Sequence, residues 1–330
     1  ITFRNWVSSV GNGIIKQRAT SAGEGGITVE SCTFHQITGT CINAVGAGNA
    51  GQNPGYHTIK NNTFYDFQAS GSAGSTIWAG TSNWERQIKV LNNVFYDWNP
   101  NGLADRIIYT GGSLNPKKPL NIISHNTFGT SSVGGGMFPY YAVEAKYGKF
   151  EYNIIAHQTN VLAFADIEDG EANYNIIYET GGGGDSFPFG GSDGPTGSVG
   201  NITADPIFKG PLFIGANANY EIGSVDSPAV DAAIGSSDVT TDRTGKNRAE
   251  LDVSALDTGI FDIGAYELTG LWALESPDSL PQIGGDYLIN RIPNASNQYK
   301  KALHERQTEV LGHNVDQIPL VTAINGTVPS

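Results

Sequence analysis

The chain has 330 residues; charged residues are 15% of it, its net charge is −13 and its pI is near 4.8. No basic stripe runs through it, which excludes nucleic acid as an expected partner. No apolar run approaches the length of a membrane helix, so no membrane span is expected.

The first residues, Ile1-Thr2-Phe3-Arg4-Asn5-Trp6, already alternate as a strand does, and no amphipathic helix or polar cap precedes them. Residue 1 is Ile and the only methionine is Met137, so the sequence reads as a processed product or a fragment. Then a unit repeats: ITVESCTFHQI from Ile27, HTIKNNTFYDF from His57, IKVLNNVFYDW from Ile88, NIISHNTFGT from Asn121, KFEYNIIAHQ from Lys149 and EANYNIIYET from Glu171. Aligned on the apolar pair, Asn62, Asn93, Asn126, Asn153 and Asn175 share one column, and Cys32 occupies it in the first unit. Two residues on, Phe34, Phe64, Phe95 and Phe128 share another, followed there by Ile155 and Ile177. The asparagine column advances by 30, 31, 33, 27 and 22 residues, a period that signals a solenoid.

Short alternating runs such as Ile27-Thr28-Val29 mean strands. Second strands are expected between the units, over 42–45, 75–79, 106–110, 140–144 and 161–166. Turns rich in Gly, Asn and Ser separate them and account for many of the 43 glycines. Strands stacked at about 4.8 Å would bury each column on itself. Inward asparagines would then satisfy turn amides along the axis. Cys32 and Cys41 fit either buried thiols or a disulfide.

The chain divides into coils over 1–203, a closing segment over 204–268 and an extension over 269–330. In the extension, 297–311 reads as one helix, capped by Ser296 and ended by Gly312, with Tyr299, Leu303 and Val310 as its apolar stripe.

The Asn and Phe ladders resemble the right-handed parallel β-helix of the pectate-lyase-like superfamily. The order ADPIF, NYEI, DSPAVDAA, DRTGKNR, FDIGAYE between Ala204 and Glu267 is similar to the closing segment of exported or surface-anchored Bacteroidetes β-helix proteins. The resemblance implies an all-β fold and an extracellular or cell-surface location. It leaves function open, because this fold carries lyases, hydrolases, adhesins and fibre proteins alike.

Lyases of this fold generally use a Lys or Arg base, often with Ca²⁺ held by carboxylates on stacked strands. Subtracting the 22-residue step sets Glu144 beside Asp166, Lys146 beside Glu168 and Lys149 beside Glu171. Glu144, Asp166 and Glu168 are thus a candidate Ca²⁺ site, with Lys146 and Arg106 as candidate bases. A solvated turn with surface ion pairs is the competing reading. No close match to the catalytic motifs of pectate or alginate lyases is present, and no G-x-S-x-G elbow. His35, His57, His125 and His157 lie on different units without metal-ligand spacing. Tyr65, Tyr96 and Trp98 could stack on sugar rings; core packing explains them as well. Sequons occur at Asn61, Asn201, Asn294 and Asn325.

The expected function is an extracellular, non-catalytic structural or adhesive β-helix that needs no cofactor. Polysaccharide or a cell-surface glycan is a candidate partner. So are other copies of the chain, joined head to tail into a filament or surface layer. The subunit contacts would come from Ile1, Phe3 and Trp6 at one end, and from Trp272, Leu274, Leu303 and Leu320 in the extension. The alternative is a lyase acting on an acidic polysaccharide.

Overall fold

A computed structural model describes residues 1–7, 13–16, 26–44, 57–68, 75–78, 88–98, 106–110, 121–130, 140–145, 148–158, 161–165, 171–180, 189–190, 199–210, 212, 218–224, 226–234, 239–246, 248 and 260–268. Residues 1–268 form one unit and 269–330 another. The extension, including the expected helix over 297–311 and Trp272, Leu274, Leu303 and Leu320, lies outside the described residues.

The described strands of the coils make three parallel sheets. The first holds Thr2–Val7, Thr33–Thr38, Thr63–Gln68, Val94–Trp98, Thr127–Phe128, Ile154–Gln158 and Ile176–Thr180. The second holds Ile15–Lys16, Ile42–Asn43, Ser75–Trp78, Arg106–Thr110, Tyr140–Ala145, Val161–Ala165 and Phe189–Gly190. The third holds Thr28–Glu30, His57–Lys60, Ile88–Leu91, Asn121–Ser124, Gly148–Glu151 and Glu171–Asn173. Each strand pairs with the strand three elements later, so one turn of the chain contributes one strand to each sheet. The fold is a parallel β-solenoid. Successive turns stack in register: Val29 on Ile59, Ile59 on Val90, Ile123 on Phe150 and Phe150 on Ala172. These residues point inward and are buried.

The corner between the third and first sheets is built from one left-handed residue per turn. Ser31, Asn61, Asn92, His125, Tyr152 and Tyr174 have φ between 52° and 61°, and Gly200 has 69°. Each is followed by the ladder residue, whose side chain turns into the interior. Oδ1 of each ladder asparagine accepts the backbone N–H of the ladder residue one turn earlier. The bonds run Cys32 to Asn62, Asn62 to Asn93, Asn93 to Asn126, Asn126 to Asn153, Asn153 to Asn175 and Asn175 to Asn201, at 2.8–3.0 Å. Each Nδ2 donates to a third-sheet carbonyl of the turn before, as from Asn126 to Val90 at 2.8 Å.

Asn201 is a sixth asparagine rung that the repeat alignment above does not contain. Its signal is the Gly200-Asn201-Ile202 triplet, 26 residues after Tyr174-Asn175-Ile176. Its Nδ2 donates to the carbonyl of Ala172 at 2.7 Å, so this sequon's amide is part of the fold. Cys32 and Cys41 are free, buried thiols, and burial alone pushes the Cys41 thiol strongly up.

A second left-handed column bends the first-sheet strands at mid-length, at Asn5, Gln36, Asp66, Asp97, His157 and Glu179. Strict alternation would send residues three apart to opposite faces. The bend resets that parity, so Phe34 and Ile37, Phe64 and Phe67, and Phe95 and Trp98 all point inward and are buried. Phe3, Phe34, Phe64, Phe95 and Phe128 form one continuous stack with centroid spacings of 4.7–4.9 Å.

Asn126→Ala should destabilise the protein by about 3 kcal/mol, since it orphans the buried Asn93 amide and the Val90 carbonyl. Urea unfolding of wild type and variant measures this; a loss below about 0.5 kcal/mol would show that water replaces the ladder.

Candidate functional site

The sequence-derived candidates scatter. Trp98 is fully buried and stacks on Phe67 at 6.4 Å inside the core. It offers no face to a sugar, because the mid-strand bend turns it inward. Tyr96 points outward, yet it is buried between Tyr65 at 5.3 Å and Tyr220 at 5.1 Å. Tyr65 is half-buried and stacks on His35 at 4.9 Å. The carbohydrate-binding assignment of Trp98 and Tyr96 is therefore corrected to packing.

Glu144 lies on the strand Tyr140–Ala145 and pairs with Ala165 rather than with Asp166. The next pair in the chain, Lys149 with Glu171, keeps the 22-residue step, with Nζ and Oε2 3.5 Å apart. The corner between them is one residue longer in the later turn, which breaks the arithmetic for Glu144. Asp166, Glu168 and Lys146 lie outside the described residues, as does the Glu144 side chain. Among the described residues, no three His, Cys, Asp or Glu groups converge on a metal position. Arg106 is half-buried on the second sheet, its guanidinium 4.9 Å from the Tyr109 ring centre. Ile1 and Trp6 are 82% and 47% exposed, while Phe3 packs on Phe34.

The outer face of the second sheet carries aromatic residues that the repeat alignment missed. Trp78 and Tyr109 occupy one register position on consecutive turns. Both are half-buried, with ring centres 6.1 Å apart in an edge-on contact. The signal was present in Thr76-Ile77-Trp78 and Ile107-Ile108-Tyr109, which recur at the 31-residue step of Asn62 and Asn93. Arg106 adds a cation over Tyr109. The result is an edge-on aromatic pair with one guanidinium over the Tyr109 ring.

Two buried acids with raised pKa, Asp262 and Glu267, lie elsewhere, in the closing segment. That segment covers the outer face of the first sheet. Tyr220, Ile222, Ala229, Ala233, Phe261 and Ile263 pack against Val94, Tyr96, Ile154, Ala156 and Ile176. Tyr220 takes the space that a side chain at Gly129 would fill: a Cβ there would stand 2.1 Å from the Tyr220 ring. Its hydroxyl accepts the Thr130 N–H at 3.0 Å and lies 2.7 Å from Thr130 Oγ1.

Beside this contact, the DRTGKNR and FDIGAYE motifs fold into one buried polar cluster. Arg248 donates to Glu267 Oε2 at 2.9 Å, to the carbonyls of Asp262 at 3.1 Å and Gly264 at 2.9 Å, and to Asn92 Oδ1 at 2.8 Å. Asn92 answers with a bond to the Thr241 carbonyl at 2.7 Å. Asp242 Oδ1 accepts from Thr244 N and Oγ1 and from Lys246 N, and its Oδ2 from Glu267 N. Arg243 reaches the Asn62 carbonyl at 3.0 Å and Thr63 Oγ1. His125 sits between Tyr152 at 4.9 Å and Phe261 at 5.1 Å. Burial, helped by Arg248, holds its pKa well below the ordinary value, so it is neutral.

Burial raises Glu267, and the carboxylates of Asp262 and Asp231 add to the rise; burial likewise raises Asp262. The 2.9 Å contact with Arg248 does not reverse this, because Arg248 directs its other bonded N–H groups at neutral acceptors. Perturbed acids mark functional sites and structural networks alike. Here Arg248 joins Glu267 and the Asp262 and Gly264 carbonyls to Asn92, so the arrangement fastens the closing segment to the coils.

Gly129→Ala should cost about 1–3 kcal/mol by displacing Tyr220, and Tyr220→Phe about 1 kcal/mol by removing its bonds to Thr130. Thermal unfolding of both variants tests this; equal stability of Gly129→Ala and wild type would mean that the ring is not seated there.

Comparison with protein families, curated proteins and solved structures returns no match for this chain.

Proposed function

We propose that this protein is an extracellular or cell-surface adhesive β-helix, non-catalytic, whose second sheet presents a glycan-contacting face. In this reading the solenoid is right-handed and of the pectate-lyase-like kind, as its Asn and Phe columns and closing motifs imply. The observation that carries the proposal is the pair Trp78 and Tyr109, half-buried at one register position on consecutive turns. Aromatic faces on a rigid support cover the apolar side of a sugar ring at low entropic cost, and Arg106 adds a polar contact beside them. The net charge of −13 favours neutral glycans over polyanions at long range.

Head-to-tail association is the structural side of the same proposal. Another copy of the chain is the partner proposed for the strand Thr2–Val7 of the first sheet. A lyase is the second reading. It is favoured by Arg106 standing on the aromatic face, one turn before the strand of Glu144. That reading keeps Lys146 as a further base and Ca²⁺ at Glu144, Asp166 and Glu168.

Binding of the full chain to an array of neutral and uronate polysaccharides tests the proposal. Trp78→Ala with Tyr109→Ala should weaken binding at least tenfold while leaving thermal stability within about 1 kcal/mol. Binding unaffected by both changes would overturn the assignment of the face. Ultraviolet-absorbing unsaturated product from a uronate polymer, lost in Arg106→Ala, would replace adhesion by the lyase reading.

A further inference from the structure

The closing segment is held to the first sheet by an apolar layer and by one charged cluster, and the cluster is unbalanced. Asp242, Asp262 and Glu267 are 1%, 2% and 8% exposed, and the guanidinium buried with them belongs to Arg248, at 5%. Among the described residues, no second guanidinium or ammonium is buried with these acids. Arg243 is directed to Asn62, Thr63 and the Tyr266 ring. Lys246 is exposed, and Asp231 at the rim adds another acid. From the coils, the cluster meets Asn92, His125 and Tyr152, which bring no positive charge while His125 is neutral. Fully ionised, three buried acids around one cation leave an excess of two negative charges, which burial makes costly.

The three acids are not equally supported. Asp242 accepts four hydrogen bonds. Asp262 accepts the amides of Asp231 at 2.9 Å and Leu268 at 2.6 Å. Glu267 has Arg248 and only long contacts to the Asp262 amide, at 3.2 and 3.3 Å. Glu267 is therefore the acid that first holds a proton.

We propose that the described residues of the closing segment, 218–224, 226–234, 239–246, 248 and 260–268, act as a proton-operated strap: protonation of the Glu267–Asp262 pair seats them on the first sheet, and proton loss loosens them. Loosening would uncover the outward strip of Tyr65, Tyr96, Ile154, Ala156 and Ile176. The direction follows from linkage. Glu267 is raised from 4.5 to about 8 and Asp262 from 3.8 to about 6. An acid raised in the folded state lends stability that is complete below its ordinary value and is lost as pH rises through the raised one. His125 works in the opposite sense. Lowered from 6.5, it lends stability above that value, which is lost on acidification. The strap is thus loosened by alkali through Glu267 and by acid through His125.

Hydrogen exchange of the full chain, corrected for intrinsic rates, tests the alkaline limb. The bonded amides of Arg243, Arg248, Ile263 and Gly264 should lose at least about tenfold protection, relative to the ladder amides of Asn93 and Asn126, as pH rises from 4.5 to about 8. Glu267→Gln, which keeps the shape without the charge, should flatten that loss. Asp262→Asn should do the same below about pH 6 and serves if Glu267→Gln does not fold. A hydrophobic dye should bind wild type more strongly at the alkaline end and Glu267→Gln equally at both ends. Parallel loss of protection in strap and ladder, or a Glu267→Gln protein with the wild-type pH dependence, would overturn the proposal.

Discussion

At each passage from the third sheet to the first, the chain turns on a left-handed residue and points the next N–H into the interior. Water cannot reach it, and an unpaired buried amide costs about 1–3 kcal/mol. The asparagine one turn later answers that need with its Oδ1 and spends its Nδ2 on a strand carbonyl of the turn before. Every rung thus ties three successive turns. This repeating bond sets the stacking of the turns, and the stacking sets everything else. It brings the phenylalanine rings to 4.7–4.9 Å, lines up outward residues such as Trp78 and Tyr109, and gives the closing segment a flat sheet to cover.

The left-handed residues carry a second role. They lie on the outer side of the corner, and three of them, Asn92, His125 and Tyr152, meet the closing segment. The backbone feature that builds the coils therefore also offers the contacts that fasten the cover. Asn92 shows the economy of this. Its backbone makes the turn, its Oδ1 accepts from Arg248, and its Nδ2 donates to the Thr241 carbonyl. Asn at this position suits both tasks, since it tolerates the left-handed region better than most residues.

Covering the first sheet has a consequence for function. With Tyr65 and Tyr96 packed beneath Tyr220 and its neighbours, the aromatic pair proposed to meet a glycan is the one on the second sheet, Trp78 and Tyr109. There the outward residues are set by the register with the turns on either side, so any ligand would meet a surface fixed by the ladder. The buried acids serve attachment instead, and their imbalance gives the attachment its dependence on protons.

The sequence by itself determined the solenoid, because a ladder needs the same residue type at the same offset in every turn, and that repetition is visible as text. It also marked five of the six asparagine rungs, four of the five stacked phenylalanines and five of the seven described second-sheet strands. It did not determine which aromatic residues face solvent: Trp98 looks like an outward residue until the left-handed bend at Asp97 resets the alternation. It did not determine that Glu144 meets Ala165, since one extra corner residue shifts a register that the adjacent sheet keeps. Nor did it reveal the Arg248 cluster, whose contact with Asn92 joins positions 156 residues apart. Columns repeat locally and can be counted. Side-chain direction, register and long-range charge pairing depend on backbone torsions and packed neighbours, and only the tertiary structure decides those.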